Sequence, residues 1–233
     1  GHTSHTMYNS YEYNNILTKS EQNKLIQSWK YILNNWDIND NKLIQHSRKL
    51  NILYTIPNNI RLKLWYKITN AHVNVKQNKG KFRQLYIKDS DSESIIKKDL
   101  IRTFNDNRFN NEKYKTFLYK ILIAYSNLDP YLGYTQGMNF IAGFLIKIYF
   151  EHYTSSVDKR LEKVFWIFVG IMKQVRSLFL NSLPGFHAVG DTFVKLCKVH
   201  MPNIHKHFSE LNVYNMVLTF WFHSLFCHPN INI

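Results

Sequence analysis

Ile96-Lys97-Lys98-Asp99-Leu100-Ile101-Arg102-Thr103-Phe104 and Gly133-Tyr134-Thr135-Gln136-Gly137-Met138 are the stretches around which the rest of the chain is organised. In the first, steps of three place Ile96, Asp99 and Arg102 on one broad helical face, an apolar contact followed by a carboxylate and a guanidinium. In the second, a glutamine stands between two glycines in a loop that runs into an apolar helix, and the glycines let the backbone come close to a ligand. Arg102 and Gln136 are the polar side chains hardest to explain as core or as ordinary surface. From the residues alone, solvated salt bridges account for the charged members, and Gln136 could equally cap the following helix by bonding its backbone.

Outward from these stretches, apolar residues recur at helical spacing. Thr18 followed by Glu21 fits a capping box, and Leu25, Ile26, Trp29, Ile32, Leu33 and Trp36 mark an amphipathic helix behind it. Asn34 to Asn41 reads as polar turn, after which Leu43, Ile44 and Leu50 predict a short helix leading to Thr55. Ile56-Pro57 opens the next, with proline near the first position, where a missing N–H is harmless. Ile60, Leu64 and Ile68 form its buried stripe, while Arg61 and Trp65 lie side by side on a flank. Arg61 either covers the indole as a surface cation or ties to a carboxylate near the site.

Asn74 to Gly80 and Lys88 to Ser94 are predicted loops by composition. A helix starting near Ser94 is expected to carry the Ile96, Asp99 and Arg102 row, and another runs from Lys113 to Tyr125 and stops at Asn127-Leu128-Asp129-Pro130. Beyond Gly137 follow an apolar helix from Met138 to Phe150 and a long one through Leu161, Phe165, Phe168 and Val175, then a break at Leu183-Pro184-Gly185. The last helices run through Val189, Phe193 and Leu196, from Asn203, and from Val213 to Phe226, with Pro202 and Pro229 as punctuation. No segment shows sustained period-two alternation, so the fold class is all-α.

At 233 residues, 45% of them hydrophobic and 15% aromatic, the chain suits one large domain or two small ones with a sizeable core. No apolar stretch reaches the roughly 20 residues of a membrane span, and the chain is expected to be soluble, without a signal peptide. Gly1-His2-Thr3-Ser4-His5-Thr6-Met7 looks like an appended leader and is set aside. Cys197 and Cys227 make no disulfide framework and are expected as buried, reduced thiols of a cytosolic protein. The net charge of +14 invites a nucleic-acid reading. Scattered single lysines and Lys-Lys pairs, with no stripe of basic residues and stacking aromatics, argue against it. A solvated basic surface is the simplest account, with attraction to an anionic leaflet or an acidic partner as the alternative.

His200, His205, His207, His223, Cys227 and His228 match no usual zinc spacing. No Gly-rich loop ends in Gly-Lys-Ser or Gly-Lys-Thr, and no Gly-x-Ser-x-Gly elbow or Cys-His pairing suggests a nucleophile. The chain is therefore not expected to bind nucleotide or metal itself.

Taken together, Arg61-x-x-x-Trp65, Ile96-x-x-Asp99-x-x-Arg102 and Tyr134-x-Gln136 resemble, in order, the three motifs of the TBC domain of Rab GTPase-activating proteins. The surroundings agree, in Arg102-Thr103-Phe104, Gly133 to Phe140, Phe165-Trp166 and Trp221-Phe222. The resemblance covers residues 55–233, with residues 8–54 as lead-in helices and 1–7 as the leader. Two positions depart from the family pattern, Thr55 where glycine is usual and Asn105 where proline is. The family usually continues beyond Trp221-Phe222, so the resemblance implies a complete N-terminal half and only part of the C-terminal half.

The resemblance implies a cytoplasmic activator of a Rab-type GTPase in its GTP form, at work in vesicle trafficking and able to associate with endomembranes. GTP and Mg²⁺ would be carried by the GTPase. A guanidinium offered in trans is worth about 10³ to 10⁵ in rate. Arg102 would be that finger. Gln136 would replace the GTPase's own glutamine, having an acceptor for the attacking water and donors for the γ-phosphate. Arg61 and Asp99, expected as a pair, would hold the finger helix, with Trp65, Tyr134 and Gly137 in support. Such a domain contributes catalytic residues without being a hydrolase itself. The alternatives are a Rab-binding scaffold with weak catalysis and a basic nucleic-acid-binding module.

Overall fold

The capping box read at Thr18 is formed: the Thr18 hydroxyl accepts from Glu21 N at 3.3 Å, and Glu21 accepts from Thr18 N at 2.8 Å. It starts helix α1 (Lys19–Asn35) in a computed structural model that describes residues 17–37, 39–53, 56, 58–104, 107, 109 and 111–228. The readings made at residues 1–7 and at Thr55, Pro57, Asn105 and Pro229 lie outside the described residues. Packing divides the chain into two units, one ending at Asn70 and one beginning at Ala71.

In the first unit, α1 is followed by α2 (Asn41–Leu53) and α3 (Asn58–Ile68). The helical stripes close on each other: Leu25, Trp29 and Ile32 of α1 meet Leu43 of α2 and Ile60 and Leu64 of α3. Each such side chain contributes roughly 1.5–3 kcal/mol relative to exposure. Helix α1 has no basic residue in its last turn. Lys67 supplies that cation from α3, its Nζ donating to Leu33 O at 2.7 Å, where the helix C-terminus carries partial negative charge.

The second unit contains α4 (Ala71–Gln77), α5 (Lys81–Tyr86), α6 (Glu93–Leu100), α7 (Glu112–Leu128), α8 (Met138–His152) and α9 (Val157–Val175), then a 3₁₀ turn, Arg176–Leu178. It closes with α10 (Pro184–His200), α11 (Pro202–Glu210) and α12 (Tyr214–Phe222). All regular structure among the described residues is helical. Helices α7, α8 and α9 pack on one another, while α5 lies against α7 and α4 against α9. Their apolar faces meet in Leu118, Ile121, Met138, Ile146, Val164 and Phe168, all buried. Aromatic pairs lock the layers: Phe82 of α5 stacks on Phe165 of α9 at 4.7 Å, and Phe117 of α7 on Phe150 of α8 at 4.6 Å.

Three sequence expectations are corrected. The loop expected over Asn74–Gly80 is helical as far as Gln77, because Ala71 is fully buried and α4 packs on α9; packing overrides the poor helix propensity of asparagine. The helix expected to run from Val213 to Phe226 covers Tyr214–Phe222 only. There Leu225 and Phe226 turn left-handed (φ 49° and 62°), and Phe226 N closes onto Trp221 O at 2.7 Å. The helix expected to carry Arg102 ends at Leu100. No helix among the described residues is long and apolar enough to cross a membrane.

Candidate functional site

Helix α6 turns Ile96 and Asp99 inward, leaving them 0% and 1% exposed. Although α6 stops at Leu100, Ile101 keeps right-handed backbone angles (φ −67°, ψ −36°), so Arg102 still falls on the face of Asp99. Beyond the stop, the Thr103 hydroxyl donates to the Asp99 carbonyl at 2.7 Å, satisfying one of the carbonyls a helix end leaves unpaired. An Arg102 Nη donates to Asp99 Oδ1. Arg102 remains 53% exposed, so its guanidinium reaches solvent from a fixed base.

The second stretch is pinned onto the first. Tyr134 N donates to Ser92 Oγ at 3.1 Å, and the Tyr134 phenol donates to Asp99 Oδ2 at 2.5 Å. Burial, and then the hydrogen bond to Asp99, push the Tyr134 phenol far above its ordinary pKa, so it stays a neutral donor. The two oxygens of Asp99 therefore serve Arg102 and Tyr134, one each.

Gln136 follows in a turn, exposed, and its side chain makes no hydrogen bond among the described residues. It does not cap α8. Gly137 occupies the N-cap position with no side-chain bond, and its N–H is taken instead by Asn139 Oδ1 at 3.0 Å. Gly137 is required twice over: its φ is 108°, and a Cβ there would overlap the carbonyl of His223.

Asp129, at the end of α7, sets the other end of this loop. Its carboxylate receives Arg176 in a forked pair, Nε to Oδ2 at 2.7 Å and Nη2 to Oδ1 at 3.0 Å. Leu132 N also donates to Oδ1, at 3.2 Å, and Gly133 N to the Asp129 carbonyl at 2.8 Å. The Arg176 hydrogen bond holds the Asp129 carboxyl below the usual carboxylate range, and the Arg176 guanidinium in turn lies above its own.

The structure thus brings Asp99, Arg102, Tyr134 and Gly137 into one hydrogen-bonded cluster and places Gln136 at its edge. Arg61 and Trp65 belong to the first unit, both half-buried on α3. Arg61 Nη2 donates to Ile56 O at 3.2 Å, and burial lowers its pKa. Asn139, Asp129 and Arg176 received no role from the sequence. An asparagine just inside a helix that begins at glycine is a capping signal and could have been read as one. Arg176 carries none, because its partner lies 47 residues earlier.

Of the histidines weighed as metal ligands, His223 stacks on Phe179 at 4.9 Å, and His228 lies 4.5 Å from Phe140 and 4.6 Å from Phe220. His205 Nδ1 meets the Tyr214 hydroxyl at 2.8 Å. Cys197 is buried, Cys227 is partly so, and both are free thiols. Burial pushes Cys227 up to about 12.

A helical domain that braces an arginine-bearing turn and a glutamine-bearing loop against each other is the class defined so far. The chain matches the Rab-GTPase-TBC domain family over residues 27–231, and it belongs to that family. Among sequences, it is 27% identical to growth hormone-regulated TBC protein 1 of Xenopus laevis over 220 residues, 87% of this chain and 62% of that protein. It is 31% identical over 176 residues to the GTPase-activating protein GYP5 of Saccharomyces cerevisiae, covering 74% of this chain and 18% of that one. Among structures, the Chlamydomonas flagellar RabGAP TBC domain superposes with a TM-score of 0.66 at 19% identity, over 88% of this chain and 67% of that chain. The Ypt/Rab-GAP domain of Gyp1p gives 0.65 at 18%, over 86% and 74%. The chain therefore spans about three fifths of the length of the Xenopus relative.

Proposed function

We propose that this domain accelerates GTP hydrolysis on a Rab-type GTPase in its GTP form, with Arg102 and Gln136 supplied in trans. The observation that carries the reading is the contrast between two exposed side chains and their buried supports. Arg102 is half-exposed on a carboxylate 1% exposed, and Gln136 makes no hydrogen bond among the described residues, on a loop tied down at Asp129, Ser92 and Asn139. A surface glutamine so rigidly presented and so unengaged suits a ligand that arrives from outside.

The chemistry follows from the residue types. Negative charge builds on the phosphate oxygens in the transition state, and a preorganised guanidinium stabilises it without reorganising. The Gln136 carboxamide can accept from the attacking water and donate to the γ-phosphate. GTP and Mg²⁺ come with the GTPase. Membership of the Rab-GTPase-TBC family and the likeness to GYP5 support the partner class. The basic charge of the chain, +14, suits work beside an anionic membrane leaflet on its cytoplasmic side.

Phosphate release from a panel of GTP-loaded Rab proteins tests this. At least one is expected to be accelerated by about two to three orders of magnitude or more, and Arg102→Lys should lose most of that, because a point charge lacks the planar fork. Acceleration that survives Arg102→Lys unchanged would refute the finger. Binding without acceleration would identify a scaffold instead.

A further inference from the structure

Asn139 is 0% exposed, and the first turn of α8 holds it between the Arg102 turn and the Gln136 loop. Its Oδ1 accepts from Gly137 N at 3.0 Å, and its Nδ2 donates to Thr103 Oγ1 at 2.9 Å. The Thr103 hydroxyl donates onward to the Asp99 carbonyl at 2.7 Å. The chain of bonds has one possible direction. Gly137 N–H can only donate and the Asp99 carbonyl can only accept, so the amide must turn its oxygen to Gly137 and its nitrogen to Thr103. One end of this bridge is the residue after Gln136, and the other is the residue after Arg102.

The same face of α8 is shaped to hold the bridge short. Gly143, one turn beyond Asn139, lies where a Cβ would come within 2.7 Å of Thr103 Cγ2 and 3.4 Å of Phe104 Cε1. The arginine turn therefore rests directly on the α8 backbone. A helix cap needs only the Oδ1 half of Asn139; its Nδ2 half reaches 36 residues back in sequence to the other turn.

Resting on the function proposed above, we infer that Asn139 is a positioning residue that fixes the separation of Arg102 and Gln136 through Thr103. Two near-isosteric changes break its link to Thr103, the second also removing the Thr103 bond to the Asp99 carbonyl. Asn139→Asp keeps the acceptor for Gly137 and removes the donor; Thr103→Val keeps the volume and removes the hydroxyl. Misplacement on the ångström scale costs up to roughly a hundredfold in rate. Each variant should lower the single-turnover hydrolysis rate at saturating domain by roughly tenfold to a hundredfold, with the half-saturating concentration unchanged. The double variant should be no worse than either single one, and Thr103→Ser should recover most of the rate.

A second measurement needs no GTPase: in Thr103→Val, amide exchange at Gly137 should quicken while the core of α9 keeps its protection. Multiplying losses in the double variant, or rate losses that merely follow the unfolded fraction, overturn the inference. So does unchanged exchange at Gly137. If the wild-type domain accelerates no GTPase, the proposed function fails, and the exchange result still decides whether the bridge couples the two turns.

Discussion

Asp99 accepts the Tyr134 phenol at 2.5 Å through the oxygen that Arg102 leaves untouched. A carboxylate 1% exposed is costly unless both oxygens are served, and here the cation and the phenol come from the two stretches that carry the site. Tyr134→Phe removes one donor without changing the packing. It should lower stability by about 1–3 kcal/mol, read as a lower urea midpoint at unchanged slope. An unchanged midpoint would mean that Asp99 is satisfied without the phenol.

Gln136→Ala should leave the urea midpoint in place, since the side chain makes no hydrogen bond among the described residues and α8 is capped by Asn139. A capping glutamine would have cost up to about 2 kcal/mol. The same variant should abolish acceleration of a GTPase whose switch glutamine is replaced by leucine, a GTPase that the wild-type domain should still activate. Failure of the wild-type domain on that GTPase would leave Arg102 acting alone.

What was legible in the sequence depended on distance along the chain. That Asp99 and Arg102 share a face was readable because an i,i+3 spacing survives even though α6 ends between them. The all-α class and the stripes of α1, α7 and α9 were readable from period alone. Three features were not. Helix α4 hid behind Asn74 and Gln77 because its support comes from α9 rather than from its own residues. Asp99 reads in sequence as part of a solvated salt bridge, whereas it is 1% exposed. Asp129 and Arg176 meet only after α7, α8 and α9 have packed, and no local pattern announces such a pair.

The Arg176 and Asp129 fork is partly exposed, so its stability contribution should be small: Arg176→Ala should lower the urea midpoint only slightly. Its effect on turnover should be larger, because the same carboxylate holds Leu132 N at the root of the Gln136 loop. The carboxyl is held below its ordinary range, so the stabilisation is complete above that range and is lost as pH falls through the depressed folded value. Urea midpoints of wild type and Arg176→Ala should differ at neutral pH and converge in strongly acidic buffer. A constant difference across that range would show that the pair contributes through packing alone.

His223, whose carbonyl lies against Gly137, gives the domain a dependence on milder acid. Its ring is stacked on Phe179 and lies 5.3 Å from Phe186, its Nε2 is buried without a hydrogen-bond partner among the described residues, and burial lowers its pKa. The folded state thus resists a proton that the unfolded chain takes up at about 6.5. Unfolded protein then binds more protons, so stability should fall as pH drops below about 6.5, levelling only below the lower folded value. His228, also lowered by burial, adds to the slope with the same sign. His223→Phe keeps an aromatic ring between Phe179 and Phe186 and removes the titration. Across roughly pH 7.5 to 5.5, its urea midpoint should fall less than that of the wild type, with the remaining slope carried by His228. Parallel curves for the two proteins would remove His223 as the cause.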